Sequence, residues 1–302
     1  MPANLPKHSL LQSVSDAIKA QLGAEHPEYA TALNNVAQLL KATNRLSEAE
    51  PLYRRALAID EKSLGPDHPV VANRLNNLAQ LLQATNRLAE AEPLMRRALA
   101  ISEKSLGPEH PDVAIRLGNL AGLLKATNRF EEAEPLMRRA LAIGEKSLGA
   151  EHPNVAVSLN NLAQLLLAAN RLGEAEPLMR RALAIDENSY GPEHPTVAND
   201  LNVIGQLLYA TNRLGEAEPL MRRVIVIFEK SLGAEHPNVA VSLNNLAQLL
   251  ENTNRLSEAE PLMRRALAID EKSFGPEHPN VAIVLSRPML APVAGIMRYS
   301  FR

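Results

Sequence analysis

Seven histidines, His26, His68, His110, His152, His194, His236 and His278, each stand directly before a proline, and each lies 42 residues after the last. A regular series of imidazoles raises the possibility of a metal site. The spacing opposes it. Equivalent residues in stacked repeats are separated by at least a helix-packing distance, about 8–10 Å, whereas the ligands of one zinc each sit about 2.0–2.1 Å from it. Each histidine is read instead as holding its His-Pro turn by a hydrogen bond. Recurring Glu-His and Ser-x-Gly-like fragments assemble no nucleophile, base and orienter, and no Gly-rich phosphate loop is present. The chain has no cysteine, so disulfides, thiolate chemistry and zinc-thiolate sites are excluded together. No catalytic residue, metal or cofactor is expected, and the chain reads as a binding protein rather than an enzyme.

The elements that position these histidines follow from what lies between them. One 42-residue sentence is rewritten six times, and Leu148 to Leu166 recurs unchanged as Leu232 to Leu250, the mark of growth by duplication. In the second unit Leu75, Leu78, Ala79 and Leu82 fall at spacings of three and four, which predicts a helix with one apolar stripe over about 70–84, helix A. Ala84-Thr85-Asn86-Arg87 ends it, with Asn86 able to take the left-handed conformation. A second stripe, Leu88, Ala91, Met95, Ala98 and Leu99, marks helix B, running to about Lys104. Leu-Gly-Pro-Asp-His-Pro then breaks the chain, because Gly and two prolines in six residues cannot continue a helix.

Pro51, Pro93, Pro135, Pro177, Pro219 and Pro261 all fall inside helix B, where an interior proline costs about 3 kcal/mol. They are tolerable near its start. With Ser47 as N-cap, Ser47 and Glu50 form a capping box and Pro51 lies at the edge of the first turn. Other units carry Ala89, Glu131, Gly173 or Gly215 there, so that cap is not general. Glu50-Arg54, Glu92-Arg96 and their equivalents are four apart with Glu first, the favourable order for a surface pair, and read as a solvated outer face.

Composition narrows the partners. The chain is 46% apolar but 3% aromatic, with no Trp, so its core is built of Leu, Ala, Ile, Val and Met, as in closely packed helices. Thirty-two Lys and Arg against 34 Asp and Glu leave a formal charge of −2, without the basic excess that phosphate neutralisation requires, so nucleic acid is not an expected partner. Neither a charged n-region with an apolar run nor a stretch of about 18 apolar residues is present, so no membrane partner is expected and a cytoplasmic location is.

Leu-Asn-Asn-Leu-Ala-Gln-Leu-Leu, Asn-Arg-Leu, Glu-Ala-Glu-Pro-Leu, Arg-Arg-Ala-Leu and Leu-Gly-Pro-Glu-His-Pro resemble the tetratricopeptide repeats of kinesin light chains and their many bacterial relatives, over residues 23 to about 285. The resemblance implies an all-α solenoid, a right-handed superhelix whose inner wall of A helices cradles an extended peptide. At 100° per residue the face opposite the core stripe carries Asn73, Asn77, Gln80 and Ala84. Its equivalents include Thr31, Asn35, Gln38 and Ala42; Ile115, Asn119, Gly122 and Ala126; Val157, Asn161, Gln164 and Ala168; Asn199, Val203, Gln206 and Ala210; and Val241, Asn245, Gln248 and Asn252. This is a ladder of neutral amides, each both donor and acceptor, able to pair with the backbone of an extended peptide whatever its sequence; the competing reading is that these amides bridge adjacent helices. Tetratricopeptide domains that clamp a C-terminal carboxylate place Lys or Arg on this wall, and the stripe lacks them, which argues against carboxyl-tail capture. Beside the stripe, Lys41, Gln83, Lys125, Leu167, Tyr209 and Glu251 form the least uniform column and the expected specificity column.

The expected organisation is an N-terminal degenerate half-repeat over 1–22, six units and a partial seventh over 23–286, and a non-repeat tail over 287–302. The seventh helix A begins at Asn280 and stops at Ser286-Arg287-Pro288, where the array ends on a half-unit. Solenoids need polar terminal caps, so three explanations compete: a truncated or frame-shifted copy of a longer array, a tail that folds back, or an open end that pairs with another copy, the last giving a second reading, a self-associating structural scaffold.

Overall fold

The computed structural model describes residues 7–275, and among these there are thirteen helices and no strand. After α1 (Lys7–Leu22), six A helices alternate with six B helices. The A helices are α2 (Pro27–Ala42), α4 (Pro69–Ala84), α6 (Pro111–Ala126), α8 (Pro153–Ala168), α10 (Pro195–Ala210) and α12 (Pro237–Asn252). The B helices are α3 (Leu46–Leu64), α5 (Leu88–Leu106), α7 (Phe130–Leu148), α9 (Leu172–Tyr190), α11 (Leu214–Leu232) and α13 (Leu256–Phe274). The chain divides into two compact units, Met1–Ala150 and Glu151–Arg302. Within each, every A helix packs on its own B helix and every B helix on the next A helix, while α1 packs on α2. The expected seventh helix A, His278 and the tail lie outside the described residues, as does any self-association through them.

The His-Pro dipeptide starts each A helix. His68 has extended backbone (φ −72°, ψ 141°) and its Nδ1 accepts from the Val70 amide at 3.2 Å, while Pro69 occupies the first helical position, where its missing N–H has no intrahelical partner to lose. The same bond, 3.1–3.2 Å long, recurs at His26, His110, His152, His194 and His236. The lone pair of each of these imidazoles is therefore committed to a helix cap, as the sequence reading expected.

Asn-Arg makes the turn from A to B. Asn86 has φ +59°, and its five described equivalents from Asn44 to Asn254 have φ +58° or +59°. The Asn86 amide donates to Gln83 O at 3.0 Å and the Arg87 amide to Leu82 O at 2.8 Å, the paired bonds of a Schellman closure with Asn at its left-handed position. Arg87 then begins helix B, its carbonyl accepting from the amides of Glu90 and Ala91. Helix B ends on Gly107 at φ +90°, a conformation that disfavours any residue with a Cβ.

One expectation is corrected. The N-cap of α3 is Arg45, with no side-chain cap bond, so Ser47 lies inside the helix and the Ser47–Glu50 capping box does not form. Pro51 consequently sits beyond the first turn. It is tolerated because it lies on an exposed face with Ser47 exposed below it, so the carbonyl left without a donor faces water.

The core is where the apolar stripes meet. Leu75, Leu78, Ala79 and Leu82 are buried, together with Leu81, Val71 and Ala72, against Ala91, Met95, Ala98 and Ile101 of α5. Alanines at Ala79, Ala91 and Ala98 let the helices approach closely, which is why so few aromatic residues suffice.

The charges of the outer face do more than pair along their own helices. Arg129 clasps Glu132 with two bonds of 2.7 and 2.8 Å and reaches Glu92 of the preceding repeat at 2.7 Å. Arg96 bridges the same two glutamates at 2.8 and 3.3 Å, closing a ring of four charges across two repeats. Equivalent rings join Arg87 and Arg54 to Glu50 and Glu90, and Arg255 and Arg222 to Glu218 and Glu258. A second row runs from Arg97 to Glu61 at 2.5 Å and from Lys104 to Asp67 at 2.7 Å. The rings are partly exposed, so each pair contributes little alone.

Two outcomes follow. Replacing Asn86 by Ala should cost about 1–2 kcal/mol in urea unfolding, and by Gly much less, since only Gly and Asn enter the left-handed region readily; equal losses would refute the turn's role. The ring arginines hold Glu92 and Glu218 below their usual carboxylate range. Stability from a depressed carboxyl is complete above its unfolded value, 4.5, and lost as pH falls. Melting temperature measured from pH 6 down to pH 3 should therefore drop, and drop less in 1 M salt, where charge pairs are screened.

Candidate functional site

The A-helix face opposite the core is open in both units. Asn35, Gln38 and Asn73 are exposed on α2 and α4, while Asn77 and Gln80 of α4 and Asn119 of α6 are half-buried. In the second unit Asn161, Gln164, Asn199, Gln206 and Gln248 are exposed and Asn245 is half-buried. The column Lys41, Gln83, Lys125, Leu167, Tyr209 and Glu251 is half-buried throughout.

Part of the ladder is spent on joining repeats. Asn77 Nδ2 donates to Asn34 Oδ1 at 2.9 Å, Asn119 Nδ2 to Asn76 Oδ1 at 2.9 Å, and Asn245 Nδ2 to Asn202 Oδ1 at 3.2 Å. The bridging reading thus holds for these amides, while Asn35, Gln38, Asn161, Gln206 and Gln248 stay exposed on the same face. Asn77, Asn119 and Asn245 are ties between adjacent A helices. The glutamine column projects further, although Gln80 Oε1 accepts from Lys41 Nζ at 3.0 Å, and burial draws the Lys41 ammonium below its ordinary value. Tyr209 of the specificity column accepts at its hydroxyl from Asn252 Nδ2 at 2.5 Å.

Three aliphatic side chains break the polar wall: Ile115 is 57% exposed, Val157 58% and Val241 48%. Their places on the stripe were legible in the sequence, and their exposure follows from lying opposite the core.

Sequence reasoning missed a set of polar residues at the joints between a B helix and the next A helix. Arg74 is buried and its Nε meets Asp60 Oδ2 at 2.7 Å, while Arg74 NH2 donates to Thr31 Oγ1 of the wall at 2.9 Å. One repeat on, Arg116 is buried and bonded to the wall residue Asn73, but Ser102 stands where Asp60 stood, and Arg116 Nε has no partner. Burial draws this guanidinium below its ordinary value. In the second unit the same two positions hold Asp186 and Asp200. Cations therefore do reach the edge of the first unit's wall, from beneath it rather than from the stripe. The signal was a polar column at core spacing: Asp60, Ser102 and Asp186, each 14 residues before Arg74, Arg116 and Asp200.

No three His, Asp or Glu among the described residues gather as a metal site. No described helix is long and apolar enough to cross a membrane.

No curated protein matches the chain. Among solved structures, the kinesin light chain nearly identical TPR-like repeats of Podosopora anserina are similar at 29% identity and a TM-score of 0.62, covering 68% of this chain and 98% of that one. BtubC (BKLC) from P. vanneervenii shares the fold at 23% identity and a TM-score of 0.63, over 78% of this chain and 92% of its own. PilF of Pseudomonas aeruginosa shares it at 20% identity and 0.57, over 84% and 96%. The tetratricopeptide repeat profile matches residues 9–62, 48–104, 71–146, 117–188, 172–230 and 214–272. Helix pairs closed by Asn-Arg and reopened by His-Pro, together with these matches, show that the chain belongs to the tetratricopeptide repeat family, in its kinesin-light-chain-like form.

Proposed function

We propose that this protein is an interaction scaffold that holds an extended segment of a partner protein along the A-helix walls, with residues 23–286 as the array and α1 as its N-terminal cap. Tetratricopeptide repeats are protein-interaction scaffolds and generally not enzymes, and among the described residues no group of three His, Asp or Glu gathers as a metal site. The observation that carries the finer reading is the contrast between the two faces. Outer-face arginines and glutamates neutralise each other in rings, whereas the wall keeps projecting amides, Gln38, Gln206 and Gln248 among them, with aliphatic stations at Ile115, Val157 and Val241.

Such a surface suits main-chain recognition. An amide side chain offers both N–H and C=O and so matches the alternating groups of an extended backbone. Ile115 in the first unit, and Val157 and Val241 in the second, would take apolar side chains of a segment bound to that unit, and the Lys41, Gln83 and Lys125 or Leu167, Tyr209 and Glu251 part of the column would tune preference there. A cytoplasmic setting, with neither nucleic acid nor membrane as partner, accords with the near-neutral charge.

The test is selection of random linear peptides on the full chain, followed by calorimetry of a selected peptide. Gln38→Ala, Gln206→Ala and Gln248→Ala combined should weaken binding at least tenfold, about 1.4 kcal/mol. Arg96→Ala on the outer face should leave affinity unchanged, and N-methylation of the peptide backbone should abolish binding where alanine substitution only weakens it. Affinity indifferent to the three glutamines would sink the wall reading.

A further inference from the structure

The joint between α9 and α10 is unlike the joint between α3 and α4. In the latter, buried Asp60 and Arg74 form an ion pair of 2.7 Å. At the equivalent positions of the former, two carboxyls face each other, Asp186 and Asp200, only 4% and 8% exposed. Two buried carboxylates in contact cannot both remain charged without a cation.

The groups around the pair are few. From α8, Asn160 Nδ2 donates to Asp200 Oδ1 at 2.8 Å. Among the described residues, His194, which caps α10, is the one basic side chain that acts on the pair, through Asp186, and it is exposed and stacked on Tyr190 at 4.9 Å between ring centroids. Its Nδ1 is occupied in accepting from the Thr196 amide. Asp200 Oδ2 is buried and meets no donor. A proton placed on that oxygen would be donated to Asp186 and would satisfy both carboxyls at once.

We propose that Asp186 and Asp200 form a proton-operated latch, sharing one proton that holds α9 against α10 and releasing the joint when that proton leaves. Burial, with the neighbouring Asp186 charge acting in the same direction, pushes Asp200 up to about 7 and outweighs the opposing Asn160 bond; burial raises Asp186 as well. The sign follows. A carboxyl raised in the folded state binds its proton more tightly there than in the unfolded chain. Its contribution is complete below the unfolded value of 3.8 and is lost as pH rises through about 7. The latch thus works in a range where ordinary carboxyls are silent. Asn199 and Gln206 project from α10, so loosening this joint disturbs the second unit's wall. The inference does not require that wall to bind anything.

Hydrogen exchange of the full chain tests it, with rates corrected for the intrinsic effect of pH. The opening equilibrium of α9 and α10 amides should rise about tenfold between pH 6 and pH 8, as a carboxyl displaced from 3.8 to about 7 requires. The α3 and α4 amides serve as the reference. Asp200→Asn should remove the rise, and Asp200→Arg, which recreates the Asp60–Arg74 arrangement, should remove it and also slow exchange at pH 8. A flat wild-type profile would overturn the latch. So would an undiminished rise in both variants, which would assign the titration to His194. Protection of the wild-type joint at pH 8 by millimolar calcium or magnesium, absent in Asp200→Asn, would overturn it as well, by making the pair a cation site.

Discussion

An A helix with a B helix at its side still has an apolar flank to bury, and a neighbouring repeat must cover it. Leu75 shows this in one place: with Val71 and Ala72 it lies against Ala98 and Ile101 of its own B helix, and Leu57 of the preceding B helix packs on the same cluster. A single repeat would leave that flank wet, so stability is a sum over units and the joints between them. Everything else in the fold serves to bring the next repeat into register. Asn86 turns the chain without adding length, His68 and Pro69 restart it, and the arginine rings tie each turn to the glutamates of the repeat before.

That division of labour explains the contrast between the faces. Covering one flank of the A helix leaves the opposite face to inter-repeat ties, which Asn77, Asn119 and Asn245 supply together with Thr31, Asn73, Gln80 and Asn252, and to solvent. The charged side chains act where consecutive B helices and turns pass one another. A wall of projecting amides is what remains when packing has claimed the apolar residues and register has claimed the ions.

The legible part of this fold was the part written locally. Spacings of three and four placed Leu75, Leu78, Ala79 and Leu82 in the core, and Asn86 and His68 announced the helix ends through conformational and capping preferences that act within a few residues. The Ser47 cap failed because a stronger local device pre-empted it: the Schellman closure hands the chain directly from Asn44 to Arg45, and helix B begins two residues too early for Ser47 to cap it. What could not be read from local pattern were contacts between residues 36 to 43 apart. The Arg87–Glu50 bond and the Asn77–Asn34 tie require the superposition of one repeat on another, which the period implies without giving the distances. On the face opposite the core, the spacing announced which amides would lie there, but not which of them tie one repeat to the next.

The joint columns show why a duplicated array need not behave uniformly. Copying preserves the stripe, the turn and the cap, because each works within its own repeat. A residue at a joint works only with its counterpart in the next copy, so each substitution there changes a pair. Asp60 with Arg74 gives a compensated ion pair; Ser102 with Arg116 leaves a buried cation held by a wall amide; Asp186 with Asp200 leaves a buried acid pair. Burial magnifies these differences, since in a low-dielectric joint an uncompensated charge costs far more than at the surface. Repeats that look alike along their length are thereby made unlike at their seams, and the seams that bond Thr31 and Asn73 are where the scaffold's packing meets its exposed A-helix face.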